Sequence, residues 1–326
     1  MSLLSIRDLC VDYRAGDRNV RAVDRFSLDI EAGDSLGIVG ESGSGKSTLV
    51  LALLRLLPKN QAIIQGEALF EGQDLISMPE QTLNALRWQE LSIVFQKAMN
   101  SFSPVHRVGY MMRDIYRLHC PGKSKEEGRA RVEELLDMVG LPPRVYALYP
   151  HELSGGMMQR VNIALSLMFN PKLLILDEAT TALDVVTQTQ ILEEIAALEK
   201  KLDITRVMVT HDISVIASSC KNVAVLYAGR CLETGAVEKV LLDPLHPYTK
   251  GLINSFPKHN TEEKEPLRSI PGSLPDLSDV PPGCVFAPRC ELAQDRCVEE
   301  AVETILTADG RRVCCHHYGG ERLAEQ

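Results

Sequence analysis

Residues 40–48 read Gly-Glu-Ser-Gly-Ser-Gly-Lys-Ser-Thr and lie between an apolar segment, residues 35–39, and a helix-like run that continues to Leu57. Glycines let backbone N–H groups close around phosphate oxygens, and the N-terminus of the following helix adds the positive end of its dipole. The order strand, loop, helix predicts a phosphate-binding loop, in which Lys46 reaches the β and γ phosphates and the Ser47 hydroxyl ligates Mg²⁺. The residues expected to contact the nucleotide in this loop are Gly40, Ser42, Gly43, Gly45, Lys46, Ser47 and Thr48.

A second apolar segment, residues 173–176, ends in the acid pair Asp177 and Glu178. In nucleotide triphosphatases, a carboxylate at the C-terminal end of a strand beside the phosphate loop is a partner of Mg²⁺, and we assign Asp177 to that role. Glu178 then lies where the attacking water is expected, so we predict that it accepts the proton of that water. The pair indicates hydrolysis of the nucleotide as well as binding.

The pattern of apolar residues predicts an α/β core. Residues 35–39, 173–176, 206–209 and 223–227 are apolar and contain β-branched residues, which is typical of buried strands in a covered sheet. Helical segments alternate with them, most clearly at residues 190–202, where the apolar residues form one stripe and most charges lie off it. This alternation is characteristic of the α/β class.

Two domains are predicted along the chain. A nucleotide-binding domain spans residues 1–255 and contains a helical insert at about residues 79–150, where the strand signal fades. Residues 258–266 are polar and linker-like, and residues 271–282 are rich in Pro, Gly, Ser and Asp. We therefore expect a small tail module over residues 256–326.

Composition limits the class of protein. The chain of 326 residues carries 35 basic and 44 acidic side chains, a net charge of −9, which excludes a protein that generally coats nucleic acid. It has no apolar run of the roughly 18 to 20 residues that a membrane helix needs, and its charged start does not fit a secretory signal. These features predict a soluble, cytoplasmic protein.

A further glycine-containing motif, Leu153-Ser-Gly-Gly-Met157, leads into a long apolar helix. Its glycines and the Ser154 hydroxyl lie at a helix N-terminus, where an anion binds readily. A protein that already has one phosphate loop has little need of a second for the same nucleotide.

With this motif the chain resembles the ATP-binding cassette ATPases over residues 1 to about 255. In that family the motif around Ser154 binds the γ-phosphate of ATP held by the opposing subunit, although Met157 stands where the general pattern has glutamine. The other matches are Gln96 to the glutamine loop, Asp184 to the loop at the dimer seam, His211 to the switch histidine and Tyr13 to the aromatic that stacks on adenine. The resemblance implies catalytic roles for Glu178, His211 and Gln96, nucleotide contacts for Tyr13, Gln96, Asp177, Ser154, Gly155, Gly156 and Asp184, and Mg²⁺ ligation by Ser47, Gln96 and Asp177.

The segments Asp243-Pro-Leu-His-Pro-Tyr248 and Pro282-Gly-Cys284-Val-Phe-Ala-Pro-Arg-Cys290 resemble the ATPase subunits of bacterial oligopeptide and dipeptide importers. Physically, His246-Pro-Tyr248 predicts a helix start, with proline in the first turn. The resemblance implies a second, different ATPase subunit, two transmembrane permease subunits docked on the helical insert, and an extracytoplasmic peptide-binding protein. It places the chain peripherally at the cytoplasmic face of the bacterial inner membrane.

Five of the nine cysteines lie between Cys284 and Cys315. Cys284, Cys290, Cys297 and either Cys314 or Cys315 offer four thiolates, enough for a tetrahedral metal or an iron–sulfur cluster. Their spacing is wider than in zinc hairpins and favours a cluster. The resemblance implies a [4Fe–4S] cluster with Cys315 as its fourth ligand. The alternatives are a Zn²⁺ site and plain packing of reduced thiols. We expect a structural role, with the nucleotide contacts independent of the tail.

The function predicted from these motifs is ATP hydrolysis that powers a bacterial importer of di- or oligopeptides. One alternative keeps the importer and changes its cargo to nickel, a metallophore, glutathione or a sugar. Another is a soluble ABC ATPase that acts on nucleic acid or ribosomes. The single cassette, the acidic balance and the lack of a heptad run count against that class.

Overall fold

The computed structural model describes residues 2–16, 18–95, 102–180, 183–255, 270–318 and 321–322. Residues 321 and 322 are described by their backbone alone. The chain divides into two compact units, of which unit 1 comprises Met1–Ser77 and Met208–Gln326 and unit 2 comprises Met78–Val207. The described tail residues therefore belong to unit 1. The domain boundaries at residues 79, 150 and 255 stay predictions from the sequence.

Unit 1 contains an antiparallel sheet built from strands that the sequence analysis missed. They are β1 (Ser2–Ala15), β2 (Arg18–Glu31), β4 (Ala62–Phe70) and β5 (Gln73–Asp74), in the order β2-β1-β4-β5. Alternation marks part of this sheet, because Phe26, Leu28 and Ile30 are buried while Asp29 and Glu31 are exposed. The alternating pattern is the signal that could have identified β2.

The second sheet of unit 1 carries the phosphate loop. β3 (Ser35–Val39), all of it buried, pairs in parallel with β9 (Asn222–Tyr227), and β9 pairs antiparallel with β10 (Arg230–Ala236). The sheet continues through β12 (Arg312–Val313), β11 (Ile305–Leu306) and β13 (Glu321–Arg322). Within its described residues, the α-helices of unit 1 are α1 (Lys46–Leu53), α7 (Ile213–Ser219), α8 (Val237–Leu242), α9 (Pro247–Asn254) and α10 (Asp295–Glu299). The buried strand β8 (Thr205–Thr210) crosses the division between the units.

Unit 2 combines two parallel strands with most of the longer helices. β6 (Leu91–Val94) pairs with β7 (Leu173–Asp177). The α-helices in the described part of unit 2 are α2 (Glu80–Leu86), α3 (Val108–His119), α4 (Lys125–Met138), α5 (Gly155–Ser166) and α6 (Val185–Leu202). β6 lies in a region for which only helices and loops were expected, because a strand of four residues leaves little pattern. A capping box between Ser124 and Glu127 begins α4.

The predicted α/β core is confirmed at the level of its elements. The four apolar runs form β3, β7, β8 and β9, and the predicted helix at residues 190–202 forms most of α6. Its apolar stripe faces inward, since Ile191, Leu192, Ile195 and Leu198 are buried. Among the described residues, no helix combines the length and the apolar character needed to cross a bilayer.

The helix start predicted at His246-Pro-Tyr248 is confirmed as the start of α9. His246 caps it, because its Nδ1 accepts a hydrogen bond from the backbone N–H of Tyr248 at 3.0 Å, and Pro247 is the first helical residue. Burial lowers the pKa of His246 to about 3, so the imidazole stays neutral and able to accept this bond. The fully buried Glu233 accepts the backbone N–H groups of Leu245 and His246, which fixes the approach to the helix.

The tail packs on unit 1 through an aromatic cluster around Phe286. Its ring centre lies 5.3 Å from the rings of Tyr227 and Tyr248, in edge-on contacts, and 5.9 Å from His246. Phe286 itself is buried. Edge-to-face pairs add about 0.5–1.5 kcal/mol beyond the burial of apolar area.

We predict that Phe286→Ala lowers the free energy of unfolding of unit 1 by about 3–5 kcal/mol, because it removes the ring at the centre of this cluster and leaves a cavity. Chemical denaturation measures the loss. Leu292→Ala is the matched control in the tail, since Leu292 is 53% exposed, and we expect it to cost less than about 1 kcal/mol. Equal losses in the two variants would contradict the assigned role of the cluster.

Candidate nucleotide site

The phosphate loop is shaped by close approaches of backbone that only glycine permits. A Cβ added to Gly40 would lie 2.0 Å from the carbonyl oxygen of Leu226, and one added to Gly45 would lie 2.3 Å from that of Ala22. Gly45 also has φ +98°, in the left-handed region, and is the N-cap of α1. The predicted loop therefore sits between the ends of β3 and α1, pressed against neighbouring strands.

The Lys46 ammonium lies inside this loop. Lys46 is buried, and its Nζ donates hydrogen bonds to the carbonyl oxygens of Gly40 and Glu41, each at 2.8 Å. Ser42, Gly43 and Ser47 are exposed on the same loop. A buried cation beside exposed loop residues and a helix N-terminus is suited to bind an anion with several negative oxygens.

Tyr13 is brought to the loop by β1. Its side chain is half-buried, and its Oη lies 3.3 Å from Oγ1 of Thr48, the last residue of the loop motif. A ring next to the phosphate loop fits the predicted contact with adenine. The stacking itself stays a prediction.

In unit 2, the acid pair stands at the end of β7. Asp177 is buried and closes the strand, and Glu178 follows it with φ +48°. This left-handed conformation is uncommon in residues other than glycine and costs about 1–3 kcal/mol, so it persists where the surroundings hold it, often at functional sites. The backbone therefore turns sharply at the residue predicted to activate water.

Unit 2 also places the starts of α5 and α6 side by side. Ser154 caps α5 and accepts the N–H of Met157 at 3.3 Å, and Asp184 caps α6 and accepts the N–H of Thr187 at 3.0 Å. The Thr187 hydroxyl donates to Asp184 as well, and the two hydrogen bonds from Thr187 hold the pKa of Asp184 below its usual value. A Cβ on Gly156 would lie 2.9 Å from Thr187 Cγ2, so the two helix starts pack closely.

The remaining predicted site residues are placed less completely. His211 is exposed and follows β8 directly, as the sequence indicated. Gln96 lies outside the described residues. Their predicted roles stay predictions.

The tail contacts the phosphate loop directly, which the expectation of a tail independent of the nucleotide contacts did not anticipate. Arg289 Nη1 lies 3.0 and 2.9 Å from the carboxylate oxygens of Glu41 in the phosphate loop. The backbone N–H of Glu41 donates to the hydroxyl oxygen of Tyr248 at 3.0 Å. Because Arg289 and Glu41 are 248 residues apart, no local pattern in the sequence could have revealed the pair.

The tail cysteines share one neighbourhood. Cys284, Cys297, Cys314 and Cys315 are buried and Cys290 is half-buried. Burial raises the pKa of Cys284 to about 12, with further contributions from Cys314, Cys315 and Cys290. Burial likewise raises the pKa of Cys290 and of Cys315, and Cys297 adds to both shifts.

The arrangement of these thiols does not fit a single metal ion. In the part of the chain that the structure describes, no group of three or more His, Cys, Asp or Glu side chains is arranged to hold one. A tetrahedral Zn²⁺ needs sulfur atoms about 2.3 Å from the metal and hence within about 4 Å of one another. The predicted iron–sulfur cluster and the alternative Zn²⁺ site therefore both stay predictions.

Two family models match the chain. The model described as ABC transporter matches residues 23–181, which include the phosphate loop, the motif around Ser154 and the acid pair. The model described as the C-terminal region of oligopeptide/dipeptide transporters matches residues 232–297, which include His246, Arg289 and three of the tail cysteines.

Similar proteins support the same assignment. The oligopeptide transport ATP-binding protein OppD of Haemophilus influenzae is 42% identical over 90% of this chain and 91% of its own length. The dipeptide transport ATP-binding protein DppD of Escherichia coli is 40% identical over 97% of each chain. A solved ATP-binding cassette, dimeric in a post-hydrolysis state with ADP and Pi, superposes with a TM-score of 0.64 at 29% identity, over 72% of this chain and 98% of its own. The chain therefore belongs to the ABC transporter family, with the oligopeptide and dipeptide transport ATP-binding proteins.

Proposed function

We propose that this chain binds and hydrolyses ATP and, as one of two ATPase subunits, powers a bacterial importer of di- and oligopeptides. The observation that carries the proposal is the phosphate loop with its buried Lys46 ammonium. The peptide cargo is supported by the names of the relatives, which are oligopeptide and dipeptide transport ATP-binding proteins.

Each side chain of the site has a proposed task. Lys46 binds the β and γ phosphates, Tyr13 stacks on adenine, and Glu178 accepts a proton from the attacking water. Ser47, Asp177 and Gln96 would hold Mg²⁺, which when bound neutralises charge on the β and γ oxygens. Gln96 and His211 are proposed as further catalytic residues.

A second, different ATPase subunit completes the site in this proposal. Ser154, Gly155 and Gly156 bind the nucleotide of the partner ATPase subunit, and Asp184 lies at the seam. The support is a surface that a partner could cover: Val185 and Val186, beside Asp184, are 77% and 67% exposed. Closure on ATP and reopening after hydrolysis would drive the membrane subunits.

The helical region of unit 2 is the proposed docking surface for the two permease subunits. Large apolar side chains are exposed on α3 and just before it, with Val105 at 73%, Tyr110 at 43% and Leu118 at 76%. Several exposed large apolar side chains on one segment make it a candidate interaction surface. The chain would then lie at the cytoplasmic face of the inner membrane, with an extracytoplasmic protein delivering the peptide.

Affinity capture from a detergent extract tests the assembly. We expect recovery of a second ATPase subunit and two polytopic membrane proteins, and peptide-stimulated ATP hydrolysis by the purified complex. Recovery of ribosomes or nucleic acid without membrane proteins would overturn the importer. Stimulation by nickel, glutathione or a sugar, and none by peptides, would overturn the cargo.

We also propose that Cys284, Cys290, Cys297 and Cys315 hold a [4Fe–4S] cluster with a structural role. The support is the shared neighbourhood of these cysteines, which contribute to raising one another's pKa and are buried or half-buried. The cluster would reinforce a tail module whose own core is small.

The first prediction from the proposed function concerns Glu178. Glu178→Gln keeps the size of the side chain and cannot accept a proton, so we expect ATP binding near the wild-type level and loss of turnover at this site. ATPase assays on the assembled complex measure it. Residual activity of up to about half fits an active partner site, so the partner's matching variant is tested alongside. The control is Glu193→Gln, which changes an exposed acid on α6 and should keep wild-type ATPase activity. If Glu178→Gln is as active as this control, Glu178 does not activate the water.

The second prediction separates the two phosphate motifs. Ser154→Arg should abolish ATP-driven assembly with the partner subunit while the chain alone still binds ATP, because the motif serves the other subunit's nucleotide. Lys46→Ala should show the reverse, with direct loss of binding by the chain alone. The control is Ser124→Arg, which also removes a helix-capping serine, at the start of α4, and so costs a similar stability of about 1 kcal/mol. It should leave both ATP binding and ATP-driven assembly intact. Loss of ATP binding by Ser154→Arg alone would show that the motif acts within its own chain.

The third prediction concerns the tail cysteines. Protein purified without air should be brown and contain iron and acid-labile sulfide in equal amounts, whereas a zinc protein would be colourless. Cys290→Ser should lose the colour, and Cys120→Ser, outside the tail, should keep it. Absence of both metals would leave only packed thiols. Loss of the cluster in Cys314→Ser but not in Cys315→Ser would reassign the fourth ligand.

A further inference from the structure

Glu41 is the only carboxylate within the phosphate-loop motif, and it joins the loop to the tail. Its carbonyl oxygen accepts a hydrogen bond from Lys46 Nζ at 2.8 Å, and its backbone N–H donates to Tyr248 Oη at 3.0 Å. Its side chain is paired with Arg289 at 2.9 Å. One residue therefore contacts the phosphate-binding cation and two residues from the C-terminal part of the chain.

The tail holds Arg289 rigidly. Its side chain is only 7% exposed, its Nε donates to the carbonyl oxygen of Pro271 at 2.7 Å, and its Nη2 donates to that of Ile270 at 3.3 Å. Nη1 also donates to the hydroxyl oxygen of Tyr227 at 3.2 Å. A guanidinium fixed in this way meets the carboxylate in one geometry, and charge-assisted bonds of this kind are about twice as strong as neutral ones.

Tyr248 is fixed as well. It is fully buried at the start of α9, and its ring centre lies 4.7 Å from that of Tyr227 and 5.3 Å from that of Phe286. The hydroxyl that accepts the Glu41 N–H is therefore held by the same aromatic cluster that docks the tail. The peptide unit of Glu41 is constrained from both its side chain and its backbone.

We propose that Arg289 and Tyr248 are positioning residues for the nucleotide: they fix Glu41 and neutralise its carboxylate, so that the loop presents Lys46 to a triphosphate without an opposing charge. The inference rests on the proposed ATP site. A carboxylate in a loop that binds a polyanion opposes binding by Coulomb repulsion unless a cation offsets it. A loop already ordered before binding also loses less entropy when the ligand arrives.

The negative charge of Glu41 allows a test that separates the proposed role of Arg289 from a general loss of tail stability. In Arg289→Ala the Glu41 carboxylate is left unpaired, and we expect the Kd of the full-length chain for a fluorescent ATP analogue to rise about tenfold. In the double variant Arg289→Ala with Glu41→Gln the charge is gone, and the Kd should return to within about threefold of wild type. Tyr248→Phe keeps the ring and loses the acceptor, and should raise the Kd about threefold.

Matched controls come from the same tail. Arg296→Ala removes an arginine whose hydrogen bonds, to Gln294 and to the carbonyl oxygen of His316, stay within the tail. Tyr318→Phe removes a hydroxyl that, within the described part of the chain, accepts a hydrogen bond from the exposed Lys250. Both should leave the Kd for the analogue near the wild-type value. In the assembled complex, Arg289→Ala should raise KM for ATP with kcat nearly unchanged.

The outcomes separate this inference from the proposed function. If the wild-type chain does not bind the analogue, or if Lys46→Ala binds it normally, the ATP site itself is wrong. If the wild type binds and Arg289→Ala binds equally well or more tightly, the positioning role is overturned. The same holds if Glu41→Gln fails to restore binding to Arg289→Ala, because an unfolded tail would give that result.

Discussion

The buried ammonium of Lys46 is the constraint on which unit 1 depends. A charge taken out of water is costly unless polar groups surround it, and here the carbonyl oxygens of Gly40 and Glu41 do so at 2.8 Å. To bring these carbonyls around one nitrogen, the chain must turn tightly between β3 and α1. This tight turn brings the loop backbone so close to the carbonyl oxygens of Leu226 and Ala22 that only glycine fits at positions 40 and 45.

The tail extends this arrangement outward. The residues around His246 lie in the match to the C-terminal region of oligopeptide/dipeptide transporters, and their arrangement has a physical explanation. His246 caps α9, and the cap places Tyr248 where its hydroxyl accepts the N–H of Glu41. Phe286 locks the same tyrosine from the tail, and Arg289 neutralises the Glu41 carboxylate. The C-terminal region is thus part of the surroundings of the phosphate loop, and the structure links a family-specific motif to a general one.

Unit 2 concentrates its candidate functional groups at the ends of its elements. Asp177 closes β7, Glu178 takes a left-handed conformation directly after it, and Ser154 and Asp184 cap α5 and α6. At the two helix starts, backbone N–H groups of the first turn lack partners within the helix, and those that the capping side chain does not accept remain available to a ligand. The close contact of Gly156 with Thr187 keeps the two helix starts together, with Val185 and Val186 exposed beside them.

The sequence by itself determined the elements whose cause is local. The glycine spacing of residues 40–48, the apolar runs of β3, β7, β8 and β9, the stripe of α6 and the start of α9 all depend on residues close together in the chain, so composition and periodicity reveal them. Only the tertiary structure decided the pair of Arg289 with Glu41, the neighbourhood of the tail thiols and the pairing of β1 with β2 and β4. Contacts between residues far apart depend on how the intervening chain packs, and they leave no spacing from which either partner could be recognised.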